Sequence, residues 1–363
     1  MWFINPLVDG NEIYFCEGEH NIVEKIDINT KKTSWISQIP SGNFYNFMRF
    51  FVAAKYNQKI LIAPHFGDGL YLYNEINKEW KKISDVDSHV EGEPKFLSAA
   101  RFKNLVILIP WRKREILIYD IESEEVQSIA GWYDKVCSSE DTRGIFTGNY
   151  CIVNDKIYVP FAEYSKLIVL DPEKVKFEII TLDGNDKGGF SGIANVGGSF
   201  YLSSTHSPTL KQFDFSGKLI KSININVNGF LNSNKPFSNI FYRCGKLWIF
   251  PDESNMILQL DFADKEDKVV GVYIDKLSDE SCLINKKDSF TLYNPFAIGD
   301  DIISFMPSSK EYIYLLNTTN GECSRFKVDN GFDENLMKNV VSTGEMLKEE
   351  NCASLQLLLK SII

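Results

Sequence analysis

The chain has 363 residues, 44% of them hydrophobic and 24% charged, with a formal net charge of −10. These are values of a water-soluble globular protein with a sizeable core. An acidic surface repels phosphate backbones and anionic bilayers, so neither nucleic acid nor membrane is expected as a partner.

At the amino terminus, Met1–Pro6 carries neither a basic segment nor an apolar run, and no secretory signal is expected. No apolar stretch approaches the roughly 20 residues of a spanning helix. The seven cysteines (Cys16, Cys137, Cys151, Cys244, Cys282, Cys323, Cys352) form no CxxC pair. Several fall in strand-like segments, which suggests buried free thiols and a cytoplasmic location.

Along the chain an aromatic residue returns at a near-constant interval: Phe3, Phe50, Phe96, Phe146, Phe190, Phe237 and Tyr293. Fourteen residues after these heads stand Glu17, Pro64, Pro110, Pro160, Ser204, Pro251 and Pro307. Ten residues further come Asp27, Asn74, Asp120, Asp214, Asp261 and Asn317, with Asp171 one residue late in the fourth row. A fixed period of about 48 residues marks a repeat architecture, each row being one supersecondary unit.

Each row reads as a four-stranded antiparallel meander. In the third row the strands are expected at 97–102, 105–109, 116–119 and 126–129. Pro110 stops the second strand because it has no N–H for the ladder. Asp120 opens the following turn, where a short carboxylate accepts backbone N–H groups. Second strands such as Val106–Ile109 and Leu247–Ile249 are apolar on both faces, as a sheet sandwiched between two others requires. The head aromatics are expected to fill the space between neighbouring sheets.

Seven such sheets arranged radially predict an all-β fold, a seven-bladed β-propeller of four-stranded antiparallel blades. The blades are expected at about 2–38, 47–84, 95–130, 145–182, 189–226, 236–274 and 290–329, within one domain over 1–330. The first and last rows each hold four strands of their own, so closure without strand exchange is expected. Residues 331–363 break the repeat and predict a short C-terminal α-helical tail. Leu336, Met337, Val340 and Val341 form one apolar stripe there, and Ser342–Glu345 has the spacing of a capping box. The tail is expected to dock on the propeller, with self-association through these helices as the other reading.

The third-strand pattern, Leu-Ile-Val-Leu-Asp-Pro at 167–172 and Glu-Lys-Ile-Asp-Ile-Asn-Thr-Lys-Lys at 24–32, resembles the YVTN/PQQ-like propeller repeats. The resemblance runs over the seven rows and implies the fold without implying a chemistry.

In such a topology the loops joining second to third strands share one face with the linkers between blades, and ligands are expected there. His20, His65 and His206 fall in these loops and His89, the fourth histidine, in a linker. An imidazole can contact a ligand or move a proton, so His65, His206, Glu163 and Glu253 are the catalytic candidates. No HxH or HxxxH spacing exists, and no metal or other cofactor is predicted. Trp111, Arg112, Lys113 and Arg114 put three positive charges and an indole on one loop, a composition suited to an anion. Trp132, Tyr133 and Arg143, from the longer linker at 130–145, and Tyr164 complete the expected ligand-binding surface. Asn5, Ser98, Thr147, Asn149, Ser191, Ser238, Asn239 and Asn294 begin the innermost strands. They are expected to line the axis and hold water or a small polar ligand.

Together these features predict a cytosolic binding propeller that recognises a partner protein or small polar ligand on its loop face. The alternative is a propeller enzyme, a lyase or hydrolase on a small anionic or carbohydrate-like substrate, using loop histidines and carboxylates.

Overall fold

The computed structural model describes residues 5–17, 21–41, 49–87, 93–111, 113–137, 145–184, 188–263, 268–272, 292–307 and 312–327. Seven four-stranded antiparallel sheets follow one another along the chain and make a seven-bladed β-propeller. Blade 1 is β1 (Leu7–Asp9), β2 (Glu12–Glu17), β3 (Ile22–Asp27) and β4 (Lys32–Gln38). Blade 2 is β5 (Phe50–Tyr56), β6 (Lys59–Pro64), β7 (Gly69–Asn74) and β8 (Glu79–Asp85). Blade 3 is β9 (Phe96–Phe102), β10 (Leu105–Pro110), β11 (Ile116–Asp120) and β12 (Val126–Ile129), followed by a single helical turn, α1 (Tyr133–Val136). Blade 4 is β13 (Cys151–Val153), β14 (Lys156–Pro160), β15 (Lys166–Asp171) and β16 (Lys176–Thr181). Blade 5 is β17 (Phe190–Val196), β18 (Ser199–Ser204), β19 (Thr209–Phe213) and β20 (Leu219–Asn224). Blade 6 is β21 (Phe237–Arg243), β22 (Lys246–Pro251), β23 (Ile257–Asp261) and β24 (Val269–Val272). Blade 7 is β25 (Leu292–Ile298), β26 (Ile302–Pro307), β27 (Tyr312–Asn317) and β28 (Cys323–Lys327).

Each sheet is a meander of four consecutive strands, so among the described residues no blade borrows a strand from elsewhere in the chain. Blades 1 and 2 make one compact unit and blades 3 to 7 a second. The helical tail expected at 331–363 lies outside the described residues.

The repeat seen in the sequence has a direct geometric meaning. The head aromatic and the residue fourteen positions later face each other across the first two strands: Phe50 opposite Pro64, Phe96 opposite Pro110, Phe190 opposite Ser204 and Phe237 opposite Pro251. Each proline is the last residue of its strand, where the ladder ends. Blade 7 departs from this register, with Leu292 opposite Pro307 and Tyr293 opposite Met306, and so does blade 4, because Phe146 bridges to Phe161 and not to Pro160. One extra residue therefore lies between Phe146 and its partner, which is why Asp171 arrives late.

Phe50, Phe146, Phe190 and Phe237 are buried and each packs on the preceding blade. Phe50 sits with Tyr14, Cys16 and Val23 of blade 1. Phe146 sits with Ile107 and Ile118 of blade 3, Phe190 with Leu167 and Val169 of blade 4, and Phe237 with Ala194 and Leu210 of blade 5. Burying one such ring contributes about 1.5–3 kcal/mol, so each head adds substantially to the packing between these blades.

The Asp/Asn step also acts as its chemistry suggests, in all seven blades. The side-chain oxygen accepts a backbone N–H from Thr30 on Asp27, Ile76 on Asn74, Glu122 on Asp120 and Lys174 on Asp171. Asp214 accepts from Ser216, Asp261 from Ala263 and Asn317 from Thr319 in the same way. Four residues after the turn-opening side chain, Lys31, Lys78, Glu124 and Val175 take the left-handed backbone, with φ of 60°, 59°, 58° and 53°.

No helix among the described residues is long and apolar enough to cross a membrane. Cys16, Cys137, Cys151, Cys244 and Cys323 are free thiols.

Candidate functional site

The loop joining β18 to β19 carries His206, and the loop joining β14 to β15 carries Glu163. His206 Nε2 lies 3.2 Å from Glu163 Oε2, while its Nδ1 lies 3.2 Å from the carbonyl oxygen of Asn234 in the linker leading to blade 6. One imidazole therefore joins three consecutive blades. Both neighbours are oxygen acceptors, so each ring nitrogen faces a group to which it can donate, the tautomer deciding which bond is made. The His206 side chain keeps 35% of its surface exposed and that of Glu163 15%, which leaves the pair open to solvent on one side.

The local backbone is shaped around the ring. A Cβ at Gly188 (φ +142°) would come within 2.6 Å of His206 Cδ2, so only glycine leaves the imidazole its place. Ser165 Oγ donates to the Gly188 carbonyl at 3.3 Å and helps to hold that turn.

The linker that His206 touches also supports the next loop. The N–H of Asp252 donates to the Pro236 carbonyl at 3.2 Å and that of Glu253 to the Lys235 carbonyl at 2.8 Å. Burial pushes the Asp252 carboxyl up to about 6, with Lys235 opposing the shift and Glu253 adding to it. A proton-accepting group thus lies one linker away from the His206–Glu163 pair.

The described polar side chains at the starts of the innermost strands make hydrogen bonds within the protein, mostly to backbone. Ser98 Oγ donates to the Gly148 carbonyl at 2.5 Å, and Thr147 Oγ1 to the Ser191 carbonyl at 2.8 Å. Asn149 Nδ2 donates to two carbonyls, Ser191 at 2.5 Å and Ser238 at 2.8 Å. Ser191 Oγ pairs with Ser203 Oγ at 2.9 Å, and Ser238 Oγ donates to the Phe250 carbonyl at 3.3 Å. Asn239 Oδ1 accepts the N–H of Ile240. Asn5 precedes β1 in a left-handed conformation, with φ of 42°. The side chain of Asn294 lies outside the described residues.

The remaining candidates divide between core and surface. Trp132, expected on a binding surface, is 0% exposed and packs on Phe146 and Phe161 with centroid distances of 5.1 and 6.1 Å. Tyr133 is buried beside it, because α1 turns this part of the linker into the groove between blades 3 and 4. In the basic loop, the Arg114 guanidinium stacks 4.6 Å over the Tyr133 ring. Lys113, itself buried, pairs with Glu115 at 3.4 Å. These two cations are thus engaged within blade 3 and its linker. Trp111 is half-buried and bonds through its backbone to Lys95 and Ile145. Tyr164 packs edge-on against Phe161. His65 of blade 2 is buried against Phe66, and its backbone N–H donates to the Arg49 carbonyl. His20, His89, Arg112 and Arg143 lie outside the described residues.

Among the described residues no group of three or more His, Cys, Asp or Glu is placed to hold a metal ion. The roles of Asn234 and Gly188 were invisible to sequence reasoning, since one contributes a carbonyl and the other an absent side chain.

No family model matches the sequence, and no curated protein matches it. Solved structures do match. The chain is similar to a catalytically inactive histidine-to-alanine variant of virginiamycin B lyase from Staphylococcus aureus with quinupristin. The TM-score is 0.59 at 9% identity, over 84% of this chain and 91% of that one. It is similar to a streptogramin B lyase, with a TM-score of 0.58 at 9% identity over 84% and 89% of the two chains. It is also similar to the dihydro-heme d1 dehydrogenase NirN, with a TM-score of 0.52 at 12% identity over 90% and 66%. Identities this low establish a shared propeller fold and nothing about chemistry.

Proposed function

We propose that this chain is a binding propeller, cytosolic in location, whose loop face over blades 4 to 6 recognises a small polar ligand or a polar segment of a partner protein. The observation that carries the reading is the His206 imidazole, half-open to solvent and oriented from both sides by Glu163 and Asn234. A side chain held in this way presents its exposed surface, beside the Glu163 carboxylate, without first losing rotamer freedom, which favours recognition. Asp252 and Glu253 add acceptors on the adjoining loop.

The test is a ligand-observed NMR screen of small polar compounds against the full chain and its His206→Ala variant. Compounds that bind the parent and not the variant support the reading. Binding that is indifferent to His206→Ala and Glu163→Gln overturns it.

A second reading, an enzyme acting on a small substrate, is favoured by the contact between an imidazole and a carboxylate. The likeness to virginiamycin B lyase, of which a histidine-to-alanine variant is catalytically inactive, points in the same direction by analogy only. Chemical change of a compound bound in the screen, lost in His206→Ala, distinguishes this reading from simple binding.

A further inference from the structure

We infer that Asn149, more than 50 residues before His206 in sequence, is a positioning residue for the His206 bridge. The inference rests on the proposed binding reading for its importance, though not for its geometry. Asn149 precedes β13 in blade 4, and its amide donates one N–H to the Ser191 carbonyl of blade 5 and the other to the Ser238 carbonyl of blade 6. An amide nitrogen has two N–H groups, and here both are committed to the inner strands of different blades. A single side chain therefore ties β17 to β21.

Those two strands carry the walls of the site. The residues just before β17 include Gly188, whose missing side chain admits the His206 ring, and Gly189, whose carbonyl accepts the N–H of Thr205. The residues just before β21 include Asn234, whose carbonyl faces His206 Nδ1. Ser191 also pairs through its hydroxyl with Ser203, near the end of the strand that leads into His206. Any change in the tie that Asn149 makes is thus passed along rigid backbone to both sides of the imidazole. Thr147 shares the load at one point only, through the Ser191 carbonyl.

Asn149→Asp is the deciding variant, since it keeps the shape but replaces the donor with an acceptor facing two carbonyl oxygens. The readout is the pair of ring-nitrogen shifts of His206, recorded by long-range proton–nitrogen NMR and assigned by their loss in His206→Ala. Asn149→Asp is expected to shift both nitrogens, and Asn149→Gln, which restores an amide, to bring them part of the way back. Ser98→Ala breaks a comparable bond between blades 3 and 4 and is expected to leave the His206 signals in place. Unchanged signals in Asn149→Asp, or an equal shift in Ser98→Ala, overturn the inference. If Asn149→Asp fails to fold, Thr147→Val decides: a smaller shift supports the positioning role, and none refutes it. Loss of ligand binding does not enter these outcomes, so the positioning role and the binding role stand or fall separately.

Discussion

The imidazole of His206 and the carboxylate of Glu163 are 43 residues apart in sequence and 3.2 Å apart in space, on the loops of neighbouring blades. A partly exposed pair of this kind contributes under about 1 kcal/mol to stability. His206→Ala should therefore leave the urea midpoint nearly unchanged while abolishing ligand binding. A large loss of stability would instead mark His206 as a structural residue.

Trp132 behaves in the opposite way. It is fully buried among aromatic rings between blades 3 and 4, so Trp132→Ala leaves a cavity that the rigid sheets cannot close. The expected cost is about 3–5 kcal/mol, read from equilibrium unfolding. A cost below about 1 kcal/mol would return this residue to the surface.

Asp252 sets a pH dependence of definite sign. Its carboxyl is pushed up to about 6 from an ordinary value of 3.8, so between these limits the folded state binds more protons than the unfolded one. Stability contributed by this group therefore falls as pH rises from about 4 to 6, by about 2 kcal/mol once partial exposure is allowed for. Asp252→Asn should raise the unfolding free energy at pH 7.5 and change it little at pH 4. The difference between parent and variant across that window is the measurement.

Asp68 has the reverse sign. Burial alone would raise it, but hydrogen bonds from Lys82, Ser41 and Tyr71 hold its carboxyl down to about 2. Its contribution is present above about pH 4 and is lost as pH falls through 2. Asp68→Asn should cost about 1 kcal/mol at pH 7, discounted for the exposure of both Asp68 and Lys82, and nothing measurable near pH 2. Thermal melts of both proteins at the two pH values check this.

How much of this was legible in the sequence depends on where each constraint originates. Phe50, Pro64 and Asn74 recur at fixed spacing because the backbone of one blade imposes their roles. The insertion before Phe161 could be seen only as a late Asp171, since proline at 160 imitated the expected stop. Trp132 looked like a surface residue because a tryptophan in a linker reads the same whether it turns outward or into a groove. His206 and Glu163 were both visible as candidates, but their pairing and the Asn234 carbonyl were not, because the docking of blades brings them together and no local pattern encodes it. The residues expected at the axis were chosen by position alone, and the bonds their side chains make to carbonyls of neighbouring blades depend on how the inner strands approach one another.

The turns after the third strands carry a further consequence. In blade 7 glycine occupies the left-handed position, with φ of 77° at Gly321, whereas Lys31 and Lys78 hold φ of 60° and 59° in exposed turns of blades 1 and 2. A lysine there bears strain that glycine does not, so Lys31→Gly and Lys78→Gly should each raise stability by up to about 1 kcal/mol. The two turns share no partners, and their gains should add in a double variant followed by thermal melting. Both lie at the opposite end of the strands from the loops of their own blades. The protein thus has room to be made hardier through its plainest repeated turn, away from the His206–Glu163 pair.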